Sequence, residues 1–300
     1  MKLHQMQALV AVVQHGGIRA AARQVHLSQA ALTKSLRQLE EEAGVPLLMR
    51  SSRGVGLTEA GQRLLARAQL VLRQVELAED ELRQCRGDEG GLVRVGLTPS
   101  VTITALGGAF NWFRQRYPQV QLQFIEGLMA RVLPRLRDGM LDLAVVAPDV
   151  GELSDDEFQC APILRTTQRI VMREGHPLLQ APSARALVDC EWVLAGTLGS
   201  IGMGRYEAMF KLAGVPLPPR VVVCEAMAAL NLLRNADLVG VLPSPLLGHP
   251  ETRGLVPLET SELHPSDVEV MLVSRPDVPL TPAAAYFAHC ITESCRQCLV

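Results

Sequence analysis

The spacing of apolar residues changes character twice along the chain. Over residues 1–57 it is helical in short blocks. Leu3, Met6, Val10 and Val13 predict a first helix ended by Gly16-Gly17, and Ile18, Ala21, Ala22 and Val25 predict a second. Leu32, Leu36, Leu39 and Ala43, at i, i+4, i+7 and i+11, form the stripe of a third, joined to the second by the tight turn His26-Leu27. After Gly44, short apolar runs flank a polar tip, Arg50-Ser51-Ser52-Arg53-Gly54, the pattern of a two-stranded wing.

From 58 to 86 there is no Pro, and no Gly after Gly61. Leu64, Ala68, Val71, Val75, Ala78 and Leu82 follow steps of four and three, a heptad seam flanked by Arg63, Arg67, Arg73, Glu76, Glu79, Glu81 and Arg83 as solvated charges. A helix of that length extends about 40 Å. It predicts a dimerisation helix, the alternative being a helix that lies on its own chain. Gly87-Asp88-Glu89-Gly90-Gly91 ends it as a linker.

Beyond the linker the pattern alternates. Strands are predicted over 92–97, 120–125, 141–146, 168–172, 192–194, 220–223, 239–242 and 268–273, with helices over 103–116, 132–138, 184–188, 203–213, 226–235 and 282–293. Such alternation implies parallel sheets with helices on both faces. The 300 residues, 48% of them apolar, suffice for about two domains.

The predicted third helix carries the first chemistry. Opposite its apolar stripe, Gln29, Ala30, Thr33, Lys34 and Arg37, preceded by Ser28, present hydrogen-bonding, small and cationic side chains, the types that meet phosphates and base edges in a major groove. Glu40-Glu41-Glu42 at the other end repel phosphate, so the N-terminal half is the end that enters the groove. Arg50 and Arg53 place guanidiniums on the wing. Residues 1–57 hold seven Lys or Arg against three Glu on a chain whose net charge is −2, an electrostatic footprint for nucleic acid. A winged helix-turn-helix reading follows, with an ordinary three-helix bundle bearing a solvated basic face as its alternative.

Ala20-Ala21, Leu27-Ser28-Gln29, Leu39-Glu40, Pro46-Leu47-Leu48, Arg50 and Leu57-Thr58-Glu59-Ala60-Gly61 together resemble the N-terminal signature of the LysR-type transcriptional regulators. The resemblance is specific over about the first 65 residues and continues, more loosely, in the length and order of segments to the end. Ala30 and Thr33 depart from the Pro and Ser usual in the family; Thr33 adds a methyl that can touch thymine. The resemblance implies a winged helix-turn-helix over 1–57, a linker and dimerisation helix over 58–87, and a two-lobed, periplasmic-binding-protein-like effector domain over 92–300. Lobe one would be 92–162 with 268–300, and lobe two 163–267, the chain crossing near Pro162–Arg165 and Pro265–Asp267. It also implies promoter DNA, a small-molecule effector and further copies of the chain, in a dimer of dimers, as partners, with RNA polymerase a candidate beside them.

Two predicted strand-to-helix loops are candidates for holding that effector. Thr98-Pro99-Ser100 follows the first strand of lobe one, and Thr197 to Gly202, including Ser200 and Ile201, follows a strand of lobe two. Hydroxyls and free N–H groups at helix starts favour an anion, although capped helix starts without ligands are common. Gly127, Met129, Ala147 and Pro148 are further wall candidates, with Glu225 at another strand end; Arg205 reads either as a partner for an acid or as an exposed helix residue, and a small organic acid, a carboxylate or sulfonate with an aromatic body, is the expected ligand. No cofactor, metal or catalytic residue is expected. Residues 199–204, GSIGMG, lack dinucleotide-binding spacing, and no hydrolase motif surrounds the scattered His. Cys290, Cys295 and Cys298 beside His289 read better as small buried apolar residues than as metal ligands. Seven Cys at irregular spacing, and no apolar run of membrane-spanning or signal-peptide length, suggest reduced thiols in the cytoplasm. The competing class, a solute-binding or catalytic α/β protein with an appended dimerisation segment, lacks both a signal-peptide core and a catalytic constellation.

Overall fold

The structure, a computed structural model, describes residues 1–51, 54–86, 90–148, 153–154, 156–180, 183–196, 201–260 and 262–298. Contacts divide it into two units, one built mainly of residues 1–91 and the other mainly of 92–300.

The first unit starts with three helices, α1 (Leu3–Gln14), α2 (Ile18–Gln24) and α3 (Gln29–Ala43). Leu32, Leu36 and Leu39 of α3 are buried as their stripe predicts, against Leu9, Val12, Ala21 and Ala22. In α1 the buried face is Ala8, Leu9, Val10, Ala11 and Val12, whereas Leu3 is exposed and Met6 and Val13 half-buried. The predicted stripe was displaced because α1 packs against α2, α3 and the later helix α4 (Glu59–Cys85) at once, which buries a broad face. His26, with φ 54°, makes the turn between α2 and α3 in the left-handed region, and Gly44, with φ 69°, ends α3 there.

Strands β1 (Leu48–Ser51) and β2 (Gly54–Leu57) pair antiparallel, Arg50 opposite Val55, and form the wing. Its root is held tightly. Glu40 of α3 turns back and accepts from the amides of Leu47 and Leu48 at 2.8 and 3.0 Å. The Thr58 hydroxyl donates to Pro46 O at 2.8 Å and accepts from Gly61 N at 3.0 Å, capping α4. A Cβ on Gly61 would sit 2.0 Å from Leu47 O, so α4 reaches the wing only because residue 61 has no side chain.

Helix α4 has the predicted length. Along its seam Ala68 is buried, Leu64 and Val75 are half-buried, and Val71, Ala78 and Leu82 are exposed, Leu82 to 58%. Arg73 departs from the expected solvated row. It is only 5% exposed and pairs with Glu76 at 3.1 Å, while Asp80, also buried, pairs with Arg83. An i, i+3 partner in each case offsets part of the cost of burying the charge.

The second unit is two-lobed. It contains β3 (Leu92–Leu97), α5 (Pro99–Thr104), α6 (Leu106–Arg116), β4 (Gln121–Glu126), α7 (Met129–Arg137), β5 (Leu143–Val146) and β6 (Gln159–Thr166). There follow β7 (Gln168–Arg173), α8 (Ala184–Val188), β8 (Glu191–Ala195), α9 (Ile201–Leu212), β9 (Arg220–Cys224), α10 (Ala226–Asn235), β10 (Leu238–Pro243), β11 (Leu255–Pro257), β12 (Val268–Ser274) and α11 (Pro282–Gln297). The lobe-one sheet has the order β4-β3-β5-β12-β6, and that of lobe two β11-β7-β10-β8-β9.

Neither sheet is purely parallel, contrary to the expectation from alternation. Strand β12 runs antiparallel to β5 and β6, and β7 antiparallel to β10 and β11. These are strands that carry the chain between lobes, and they enter each sheet without a helical crossover to reverse them. The crossing also moves. Pro162, which suggested the end of lobe one, lies inside β6, on the sheet edge and beside a bulge opposite Val270/Met271, where a residue without an N–H is tolerated. Lobe one thus continues to Thr166, and the crossing is Thr167, whose hydroxyl lies 2.6 Å from that of Ser244.

The helix expected over 103–116 breaks at Ala105 into α5 and α6. The Ser294 hydroxyl of α11 donates to Ala105 O at 2.7 Å, and a Cβ on Gly108 would meet Ser294 Oγ at the same distance, so the break and the glycine seat α11. Phe113, Tyr117, Phe287 and the apolar face of β3 fill lobe one. Trp192, Tyr206 and Phe210 pack edge to face in lobe two. Among the described residues no helix is long and apolar enough to cross a membrane.

Gly61→Ala is expected to lower the stability of the helix-wing unit by about 1–3 kcal/mol, the usual cost of forcing atoms into a filled site. A denaturant midpoint equal to wild type would show that the Leu47–Gly61 approach is not needed.

Candidate functional site

Two places combine available chemistry with defined geometry. The first is the N-terminal half of α3. Ser28 Oγ accepts from Ala31 N at 3.1 Å, fixing the first turn, and Gln29, Ala30, Lys34 and Arg37 are exposed along one face. No ion pair with Lys34 or Arg37 occurs among the described residues, which leaves both cations for a ligand. The Thr33 hydroxyl donates to Gln29 O at 2.8 Å and is therefore engaged with its own helix. Arg50 lies in the wing strand β1, its side chain outside what is described, and Arg53 lies outside the described residues. Of the acidic run, Glu42 meets the N-terminal ammonium at 2.6 Å and Gln5 at 3.1 Å, partners that lower its pKa. Glu40, as described, holds the wing. Sequence reasoning read these carboxylates only as a repulsive end.

The second place is a cavity of about 290 Å³ in the second unit, bounded by residues of both lobes. Thr98, Pro99, Ser100, Gly127, Met129 and Ala147, each expected from sequence, line it together. Pro148 does not. Its carbonyl instead accepts from Arg205 at 2.6 Å. Thr197 and Ser200 lie outside the described residues; Ile201 and Gly202 open α9 with their side chains outside what is described.

The turn at Thr98–Ser100 is a poorer anion cradle than its sequence suggests. Thr98 N donates to Val145 O at 3.1 Å, Pro99 has no N–H, and α5 spans only six residues, so this helix start offers few free donors. Sequence reasoning missed most of the apolar wall, including Ile103, Val193, Leu194, Met209, Leu230 and Leu246. These residues belong to several distant elements and share no local pattern.

Hydroxyls are also present. Thr98 Oγ1 and Tyr206 OH are buried with no hydrogen-bond partner among the described residues. Burial holds the Tyr206 phenol well above its ordinary value, so it stays a neutral donor. Arg205, Arg131 and Glu225 are the charged side chains of the lining, the last two exposed.

The C-terminal thiols sit elsewhere in lobe one. Cys290 and Cys295 are buried, and Cys298 donates to Thr104 O at 3.2 Å and Ser294 O at 3.1 Å. Burial pushes the Cys295 thiol up to about 12, which keeps it in the unreactive protonated form.

Comparison with known proteins agrees with this arrangement. Residues 3–62 match the bacterial regulatory helix-turn-helix of the lysR family, and residues 86–296 the LysR substrate binding domain. The HTH-type transcriptional regulator PcaQ of Agrobacterium fabrum is 29% identical over 293 residues, 94% of this chain and 92% of PcaQ. The HTH-type transcriptional regulator TdcA of Escherichia coli is 27% identical over 235 residues, 77% of this chain and 74% of TdcA. The crystal structure of full-length CbnR complexed with its target DNA shares the fold with a TM-score of 0.68 at 21% identity, covering 98% of this chain and all of that one. With a capped basic helix and wing at one end and a two-lobed cavity domain covering most of the rest, both matched by their family descriptions, the chain belongs to the LysR family of DNA-binding transcriptional regulators.

Proposed function

We propose that this LysR-type regulator works in the cytoplasm as a homo-oligomer that sets α3 into the major groove of promoter DNA and responds to a small organic acid in the cavity of its two-lobed domain. The observation that carries the DNA half is the Gln29–Arg37 face, capped at Ser28 and with both cations unpaired among the described residues. In this reading Gln29, Ala30, Thr33, Lys34 and Arg37 meet bases and phosphates, while Arg50 and Arg53 of the wing meet the backbone. Two such helices in a dimer would occupy half-sites about one helical turn apart.

Assembly is proposed to run through α4. Val71 and Leu82 are 41% and 58% exposed on a 27-residue helix with a heptad apolar seam, surface that a second copy of the helix would cover. A dimer of dimers would then bring RNA polymerase and bent DNA under the control of the effector domain. For the effector, the mainly apolar cavity with few polar groups supports a compact organic molecule. Its acidic end is proposed from the hydroxyls Thr98 and Ser100, the region 197–202 and the nearby guanidinium.

Arg37→Ala is expected to weaken binding to the specific site by about 1–3 kcal/mol if Arg37 meets a guanine, and Arg53→Ala to weaken binding evenly across sequences with a shallower salt dependence. Footprinting and salt titration check both, and unchanged affinity in the two variants removes this docking.

Val71→Asp combined with Val75→Asp places four carboxylates in a paired seam. Sedimentation should show smaller species and operator affinity should fall by an order of magnitude or more; survival of the oligomer would mean that α4 is not the dimerisation element.

A further inference from the structure

The cavity carries charges of both signs at its opening. Arg131 stands in the first turn of α7 in lobe one, and Glu225 directly precedes α10 in lobe two; both line the cavity and both are exposed. A Cβ on Gly127 would sit 2.7 to 3.2 Å from Cδ, Cβ and Cγ of Arg131, so the bare glycine at the end of β4 is where the arginine stem lies. Its guanidinium forms no ion pair or hydrogen bond among the described residues. The Glu225 carboxylate forms none either, and it does not cap the helix that it precedes. At the opening, then, a cation of one lobe and an anion of the other stand apart.

Behind them the wall is apolar. Val193, Leu194, Met209 and Leu230 are buried around the interior. Two hydroxyls of the same lining, Thr98 Oγ1 and Tyr206 OH, belong to residues each only 4% exposed and have no hydrogen-bond partner among the described residues. The volume of about 290 Å³ is near the lower end of small-molecule sites, about 300 Å³. Such a space suits a compact apolar body whose charged end stays at the opening.

A simple carboxylic acid seated this way would meet Arg131 but bring its carboxylate toward that of Glu225. A simple amine would meet Glu225 but face Arg131. Like charges oppose each other in both cases, whereas a molecule with both signs at one end satisfies both residues. Charges at opposite ends of a chain, as in an ω-amino acid, would put one of them into the apolar interior, where an unpaired ion is costly. Arg205, the other guanidinium of the lining, is half-buried and donates to the carbonyls of Pro148 and Ala147.

We propose that the effector is an α-amino acid with an apolar side chain, its carboxylate facing Arg131, its ammonium facing Glu225 and its side chain inside among Val193, Met209 and Leu230. This deepens, and rests on, the reading that the cavity holds a small organic acid. Because Arg131 and Glu225 belong to different lobes, the ligand bridges them. It shifts the lobe equilibrium by as much as it prefers the arrangement that brings both charges to it.

The test is calorimetry on the full chain at millimolar concentrations with two sets of three probes. L-Leucine is compared with 4-methylpentanoate, which lacks the ammonium, and with leucinamide, which lacks the carboxylate; L-phenylalanine is compared with 3-phenylpropanoate and phenylalaninamide. At least one amino acid should bind at least fivefold more tightly than both of its analogues, a modest factor because the two side chains are exposed. Glu225→Gln should remove the preference over the acid, Arg131→Gln the preference over the amide, and Glu225→Asp should restore part of the first. Both positions are exposed, so the variants should keep the wild-type denaturant midpoint. Acids bound as tightly as the amino acids overturn the zwitterion and leave the organic-acid reading in place, whereas amides bound most tightly overturn both. Binding of none of the six overturns the zwitterion, and a preference that survives both Gln variants overturns its assignment to Arg131 and Glu225.

Discussion

The ladder between β6 and β12 is the constraint on which the effector domain depends. Val268 pairs with Thr166 and Ser274 with Gln159, so the strand leaving lobe one and the strand returning to it lie side by side. Lobe two, inserted between them, is attached at neighbouring points on one sheet. Such an attachment allows the lobes to rotate about a narrow region while each keeps its own sheet and core. Thr167, pinned to Ser244 through backbone and hydroxyl contacts, defines where that region begins on the first crossing. The exposed pair Arg165–Asp267, at 3.1 Å, adds little at that solvated position.

Because both lobes carry strand ends and helix starts toward the same space, the cavity is assembled from β3, β5, β8 and β10 with α5, α7, α9 and α10. Its walls are mainly apolar, and two of its buried hydroxyls, Thr98 Oγ1 and Tyr206 OH, have no partner among the described residues, a combination that costs stability. The donors expected at the start of α5 are largely consumed by the sheet or removed by proline.

The DNA-binding unit is organised around the close approach of Gly61 to Leu47. With no Cβ at 61, α4 can start directly against the wing root, and the Thr58 hydroxyl and Glu40 carboxylate satisfy the backbone groups exposed there. The wing is thus tied to both α3 and α4. The acidic end of α3 anchors the wing through Glu40 and the chain's first residues through Glu42.

Much of this was legible in the sequence. The stripe of Leu32, Leu36 and Leu39, the heptad spacing of α4 and most strands of the effector domain follow from local periods, which depend on residues a few positions apart. Thr98, Ser100 and Met129 were placed at the cavity by their positions after strands. What escaped was set at long range. Pro162 read as a boundary because an edge strand with a bulge cannot be told locally from a strand end, and Arg73 read as solvated because it falls in the charged row that flanks the seam. The apolar wall from Ile103 to Leu246, and the reach of Arg205 to carbonyls some 57 residues earlier, have no local signature. By itself, then, the sequence determined the elements, their order and the basic face of α3, while tertiary structure alone decided which strand ends meet and which charges are buried. Those outcomes depend on packing between segments that no short-range pattern connects.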